Sequence, residues 1–474
     1  MLTMTPRKHA GRGLLSIALA LAATAVAGAQ APKPSHPAAE AQALDIARKS
    51  IALRSVAGSG NQTPQVAELY KSALVTGGFA AADVTITPVD DTAYFIARWP
   101  GADPALKPLV LSGHMDVVEA KREDWQRDPF TAVVESGYLY GRGASDMKTD
   151  GAIALASLIE LKRQGYAPRR TIIIEFSGDE ETTMKTSAMI AEALAGAELV
   201  LNIDGGGGTL DEKSGAPLYF TWQGAEKTYA DFELSVTNAG GHSSQPRKDN
   251  AINELAAALA KVAGHQFKPE LNDLTRAYFQ AAARYEDPAI GAAMRAFAAN
   301  AADAKAIATL SAKPDMVGKI GTTCIATMIN GGHAVNALPQ KAAANVNCRI
   351  FPGHAPAAIM AELTRVVANP NVVLKDVTEG TVPTDASPMR PDFIAAVTEA
   401  MAATYPGVPV FPSMASGASD SMWFRSRGVP SYGASPTFMK PSDDFSHGLN
   451  ERVPLSIIAP GINYYLVMLR ALSK

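Results

Sequence analysis

Along the first half of the chain, short apolar runs end again and again in polar or glycine-rich turns. Leu109, Val110 and Leu111 form one such run, and with a β-branched member it predicts a buried strand. Ser112-Gly113 ends it. His114 and Asp116 follow at i and i+2, a spacing that leaves both side chains on one side of an extended backbone. The Ile-rich run at 171–176 predicts a second buried strand, with Asp179, Glu180 and Glu181 crowded at its end. Residues 198–204 repeat the design and end in Asp204 and four glycines. Further strands are predicted near 84–88 and 93–99. Apolar groups recur at helical spacing over 39–54, 63–74, 149–164, 393–403 and 455–472. Thr63, ahead of Pro64, reads as a helix N-cap.

From about Ala225 the pattern changes. Residues 229–236 alternate, as a half-buried strand does. A helix is predicted over 251–262, an Ala-rich and chemically bland helical stretch over 265–320, and an antiparallel pair over 321–329 and 341–350. A helix at 356–367 and a strand at 372–377 complete this segment. The chain thus reads as α/β. A domain with a mixed, mostly parallel sheet, in two parts (39–224 and 379–474), is interrupted by an inserted α+β domain over 225–378.

The chain has 474 residues, 47 % of them apolar, enough for a large core. The near-balanced charge of −3 argues against a nucleic-acid binder. Arg7, Lys8 and Arg12 precede an apolar run from Leu14 to Val26, and Ala27-Gly28-Ala29 follows. That is the form of a secretory signal over 1–29, with a Pro- and Ala-rich linker over 30–38. Export to the periplasm is the expectation. No other stretch reads as apolar enough to span a bilayer.

Strand ends in open α/β sheets are where sites sit, which makes the polar groups there candidates for chemistry. Alone, His114 and Asp116 could be surface residues, Asp146 an N-cap, and the three acids a solvated turn. Together His114, Asp146, Glu181, Asp204 and His447 offer two imidazoles and three carboxylates, a donor set that suits two zinc ions. If Asp146 bridges, three carboxylates and one hydroxide neutralise two divalent cations. Such ions sit about 3.5–4 Å apart. Asp116 would fix the tautomer of His114. Neighbouring side chains on an extended end point opposite ways, so Glu180 is left to move protons as general base.

The set Ser112-Gly113-His114-Met115-Asp116, Gly141-Arg142-Gly143 with Asp146-Met147-Lys148, Asp179-Glu180-Glu181 and Asn202-Ile203-Asp204-Gly205-Gly206 resembles the dizinc aminoacylase/carboxypeptidase family. Asp124-Trp125 to Phe130, and Asn450-Glu451-Arg452 after His447, resemble its carboxypeptidase S and N-acyl-amino-acid hydrolase branch. The resemblance covers the chain from about residue 45 onwards. It implies a zinc-peptidase domain with an inserted lid or dimerisation domain. It also implies two Zn²⁺ ions, with Co²⁺ or Mn²⁺ as substitutes. His114 and Asp204 would bind one ion, Glu181 and His447 the other, and Asp146 both. His242 would polarise the scissile carbonyl. Asn336, Arg349 and Gly417 would contact substrate, with Arg349 clamping a free carboxylate. Read without the family, His242 is a loop capping residue and Arg349 a strand-end ion pair. Glu119, Thr149-Asp150 and Thr182-Thr183-Met184 depart from the family pattern in loops that would line the cleft.

The expected reaction is hydrolysis of an amide in a dipeptide or N-acyl amino acid bearing a free carboxylate, with Glu180 as base. The expected substrate is a small molecule, with no nucleic acid and no membrane span in the mature chain. A homodimer through the lid is allowed. The rivals are a dizinc aminopeptidase and a non-catalytic periplasmic binding protein. Cys324 and Cys348 are equidistant from residue 336, so a bulge-free hairpin would place them opposite each other. A cross-strand disulfide and two buried thiols both fit.

Overall fold

The strand Leu109–His114 is buried at every residue and lies inside a ten-stranded sheet. A computed structural model describes residues 35–474; the leader and the first part of the linker lie outside the described residues. The first helix, Pro37–Ile51, starts slightly before the expected end of that linker.

Leu109–His114 pairs in parallel with Ile172–Ser177 on one side and with Leu199–Asn202 on the other. All three strands are apolar and buried on both faces, as a sheet covered by helices requires. Their carboxyl ends therefore lie side by side, with His114 opposite Ser177 and Ser112 opposite Asn202. Gly113 has to be glycine, because a Cβ there would come within 2.6 Å of Met147 Sδ. Val84–Val89 and Thr92–Trp99 extend the sheet by antiparallel pairing. On the other side follow Ser431–Gly433 and the long strand Pro217–Glu226, which the sequence pattern does not announce. The sheet is mixed, with a parallel centre. Pro37–Ile51, Lys148–Arg163 and Ile458–Leu472 pack together against it.

Residues 455–472 require a correction. Leu455–Leu472 is long and apolar enough to cross a membrane. Here it serves the core: Ile462, Tyr464, Tyr465, Met468 and Leu469 are completely buried within the largest hydrophobic cluster.

The segment 225–378 carries a second, four-stranded sheet in the order Thr323–Gly331, Lys341–Ile350, Thr228–Thr237, Val373–Asp376. Ala251–Gly264 and Pro356–Val367 cover one face and close a separate core. The Ala-rich stretch is helical, but it does not join that core. Asp273–Ala282, Pro288–Ala299 and Ala304–Ser311 form another, sealed against Phe411 and Tyr219 of the large sheet.

Cys324 and Cys348 are joined by a disulfide. They are direct partners in register across Thr323–Gly331 and Lys341–Ile350. A bulge between Ala326 and Met328 shifts the register on the loop side only, so the cysteines stay opposed.

Candidate metal centre

The three parallel strands deliver His114, the Asp179-Glu180-Glu181 turn and Asp204 to one edge. Asp146 joins from the loop before the helix Lys148–Arg163, and His447 from a loop near the C-terminus. His114 Nδ1–H donates to the backbone carbonyl of Asp116 at 3.0 Å. That bond fixes the tautomer and leaves Nε2 with a free lone pair. Nε2 faces Asp146 Oδ1 at 3.0 Å and Asp204 Oδ2 at 3.7 Å. The other oxygen of Asp146, Oδ2, lies 3.1 Å from His447 Nε2, which is also 3.0 Å from Glu181 Oε2. One carboxylate thus turns its two oxygens to two different triads: His114–Asp146–Asp204 and Asp146–Glu181–His447.

The donor atoms of each triad lie within 4.8 Å of one another. Groups so charged stay together only around positive charge. Burial drives the pKa of Asp204 well up, with the charges of Asp146 and Glu181 adding to it. Hydrogen bonds to Asp146 and Glu181 push His447 up to about 10. Two imidazole nitrogens and three carboxylates gathered this closely fit two divalent ions.

Asp116 does more than accept from His114. Its carboxylate oxygens accept the backbone N–H groups of Glu180 at 3.1 Å and Glu181 at 3.0 Å. The acid pair is therefore in a turn, not at an extended end. Both Glu180 and Glu181 face the site and form a third potential metal group with His114. The expectation that only one of them could reach the metals is corrected by that turn. Asp179 faces elsewhere and accepts from Lys185 N and Thr186 N at the start of the helix Lys185–Ala193. Burial raises the pKa of Glu180 well above the usual carboxylate range.

A cavity of about 600 Å³ opens over the centre, lined by Asp146, Glu180, Glu181, Asp204 and His447 and also by Tyr229, Arg349 and Gly417. Arg349 lies over the Tyr229 ring, 4.7 Å from its centroid, and its guanidinium has no carboxylate or carbonyl partner among the described residues. The nearby Asp231 is satisfied instead by Tyr229, Asn345 and Asn347.

His242 and Asn336 are not brought to this cavity. They sit together, exposed, where Gly241–His242 pairs with Ala337–Leu338 and Ser243 N–H donates to the Asn336 carbonyl. His242 Nδ1 bonds Ser244.

The sequence reading assigned no role to Arg142 and Glu451. Glu451 is fully buried, bonds Arg142 at 2.7 Å, and accepts the N–H groups of Gly143, Ser145 and Asp146. Arg142 also donates to the carbonyls of His447 and Gly448. The Gly-Arg-Gly signal and an acid four residues after His447 were visible; their pairing was not.

Residues 110–471 match the model of Peptidase family M20/M25/M40. The chain belongs to this family. It is thus a metallopeptidase by descent, and the two triads occupy its candidate active site. It is 28 % identical over 395 residues to the probable carboxypeptidase S-like 2 of Dictyostelium discoideum, covering 80 % of this chain and 74 % of that one. It is 30 % identical over 372 residues to the N-fatty-acyl-amino acid synthase/hydrolase PM20D1 of Mus musculus, covering 74 % and 72 %. The fold is similar to that of the metallo-carboxypeptidase Sso-CP2 of Sulfolobus solfataricus, with a TM-score of 0.69 and 17 % identity over 90 % of this chain and 98 % of that one. It is also similar to human carnosine dipeptidase 1, with a TM-score of 0.61 and 17 % identity over 93 % and 100 %.

Proposed function

We propose that the protein is an exported dizinc hydrolase that cleaves the amide bond of dipeptides or N-acyl amino acids carrying a free carboxylate. The observation that carries this reading is the Asp146 carboxylate, split between two histidines. Two zinc ions held by the triads, with cobalt or manganese as substitutes, would supply Lewis acidity and lower the pKa of the attacking water. Glu180 takes the proton from that water and delivers it to the leaving nitrogen. Arg349, with no carboxylate partner among the described residues, grips the substrate carboxylate with parallel N–H bonds. Tyr229 holds the guanidinium over its ring. Asp116 holds His114 and the Glu180–Glu181 turn in place at once.

Export rests on the charged, apolar and small-residue pattern of 1–29. N-terminal sequencing of protein recovered from the periplasm tests it.

A homodimer through the inserted domain accounts for two further features. Thr323–Gly331 is an edge strand with exposed Ile325 (67 %), Met328 (64 %) and Ile329 (62 %). Edge strands so apolar invite pairing. His242 and Asn336, at the separate two-stranded pairing whose second strand lies in the connection between Thr323–Gly331 and Lys341–Ile350, would then serve the cavity of a second copy. The hydrolysis itself is tested by a screen of dipeptides and N-acyl amino acids with added zinc, cobalt or manganese. Release of the free amino acid is expected, and it should be abolished by a chelator.

A further inference from the structure

A second cavity of about 600 Å³ shares Asp146, Asp204, Gly417 and Ala418 with the first but contains neither Arg349 nor Tyr229. The shared carboxylates mark where the scissile bond must lie. With the substrate carboxylate at Arg349, its acyl half has this second cavity to enter.

The chemistry of its walls is unusual for a site that would take hydrocarbon. Gly205–Gly208 present bare backbone. Thr221 and Gln223 project from the strand Pro217–Glu226, and Ser435 and Thr437 face them from the chain after Ser431–Gly433. Met439 and Pro441 are the only lining apolar side chains larger than a methyl among the described residues. Gln223 lies low over the glycine run: a Cβ on Gly205 would come within 2.7 Å of its Oε1. Among the described residues its side-chain amide has no hydrogen-bond partner, which leaves both its donor and its acceptor available. Glu226 is paired with Arg425 at 2.8 Å, and Asp150 accepts from Ser435 and Thr437. Of the other charged lining groups, Lys440 and Asp444 bring one charge of each sign, and Asp444 accepts from Ser446.

Hydrocarbon binds by leaving water for apolar walls. In this cavity a fatty chain would instead strip water from the Gln223 amide, and from the remaining lone pairs of hydroxyls that donate to Asp150 and Gly207, without replacing those hydrogen bonds. We propose that this cavity is the acyl-side subsite and that it selects an aminoacyl group with a short, neutral, polar side chain, so that the substrates are dipeptides and not fatty-acyl amino acids. This rests on the hydrolase reading above and narrows it. It also separates the chain from the fatty-acyl substrates in the name of the mouse relative.

The test compares kcat/KM for seryl-leucine and glutaminyl-leucine with that for octanoyl- and oleoyl-leucine, so that the carboxylate end is constant. The zinc-loaded protein should prefer the dipeptides by at least about tenfold, the worth of one net hydrogen bond. Thr221→Val combined with Gln223→Leu, with melting temperature monitored, should shrink that ratio by about tenfold. Equal or better hydrolysis of the octanoyl substrate by the unaltered enzyme overturns this proposal and leaves the hydrolase reading standing. So does an unchanged ratio in a folded double variant. No hydrolysis of either series overturns both.

Discussion

Arg142 and Glu451 form a buried ion pair that clamps the loop of Asp146 to the loop of His447. The bridging carboxylate and one terminal imidazole are thus positioned by the same pair. Glu451→Gln leaves Arg142 charged and half-paired in the interior. That is expected to cost about 3–5 kcal/mol of stability and roughly 10- to 100-fold in metal affinity. Urea unfolding and metal titration read the two effects. Unchanged metal affinity in the variant would remove the pair from the site.

Glu180→Gln is expected to keep its metals and lose roughly 10²–10⁴-fold in rate. Elemental analysis beside turnover on one dipeptide checks this. Near-normal turnover would take Glu180 out of the mechanism.

Arg349→Ala is expected to narrow the preference for a free carboxylate over its amide. A charge-assisted bond contributes about 1.5–3 kcal/mol, or roughly 10- to 100-fold in kcat/KM. A preference that survives the substitution would place the clamp elsewhere.

Asp150, which lines the second cavity, offers a pH test that does not depend on turnover. Burial, only partly offset by Thr437 and Ser435, raises its pKa to about 6. The folded state therefore holds a proton that the unfolded chain has released between about pH 4 and 6. Stability is lost as pH rises through that window, by about 3 kcal/mol at most. Asp150→Asn should escape the loss, so its advantage over the wild type should grow from pH 4 to pH 7. A constant difference across that range would contradict the buried, neutral carboxyl.

How much of this was legible in the sequence depended on whether the signal was local. The strands ending in His114, Glu181 and Asp204 showed as apolar runs because a sheet covered on both faces needs them. The strand Pro217–Glu226 did not, since its glycine and polar residues break the pattern. The turn that brings both Glu180 and Glu181 to the site is held by Asp116, a bond across 64 residues that no local rule reveals. Arg142 and Glu451 are separated further still. That Cys324 and Cys348 could oppose each other was readable because a hairpin fixes register by counting, and the bulge fell beyond Cys324; that they are bonded and not free thiols was not. The exposed position of His242 and Asn336 was out of reach of motif reasoning.

If a second copy supplies His242, then Glu180→Gln and His242→Ala chains, each inactive alone, should regain up to about a quarter of normal activity when co-expressed, since random pairing makes half the dimers mixed and each of these holds one intact site. No recovery from a stable mixed dimer would confine each site to a single chain.

Whether two metal ions share Asp146 is read by zinc titration of chelator-stripped protein in a calorimeter. The wild type and Glu180→Gln should each bind two ions per chain, and Asp146→Ala should bind neither tightly. A single ion in the wild type, or two tight ions in a folded Asp146→Ala, would contradict that sharing.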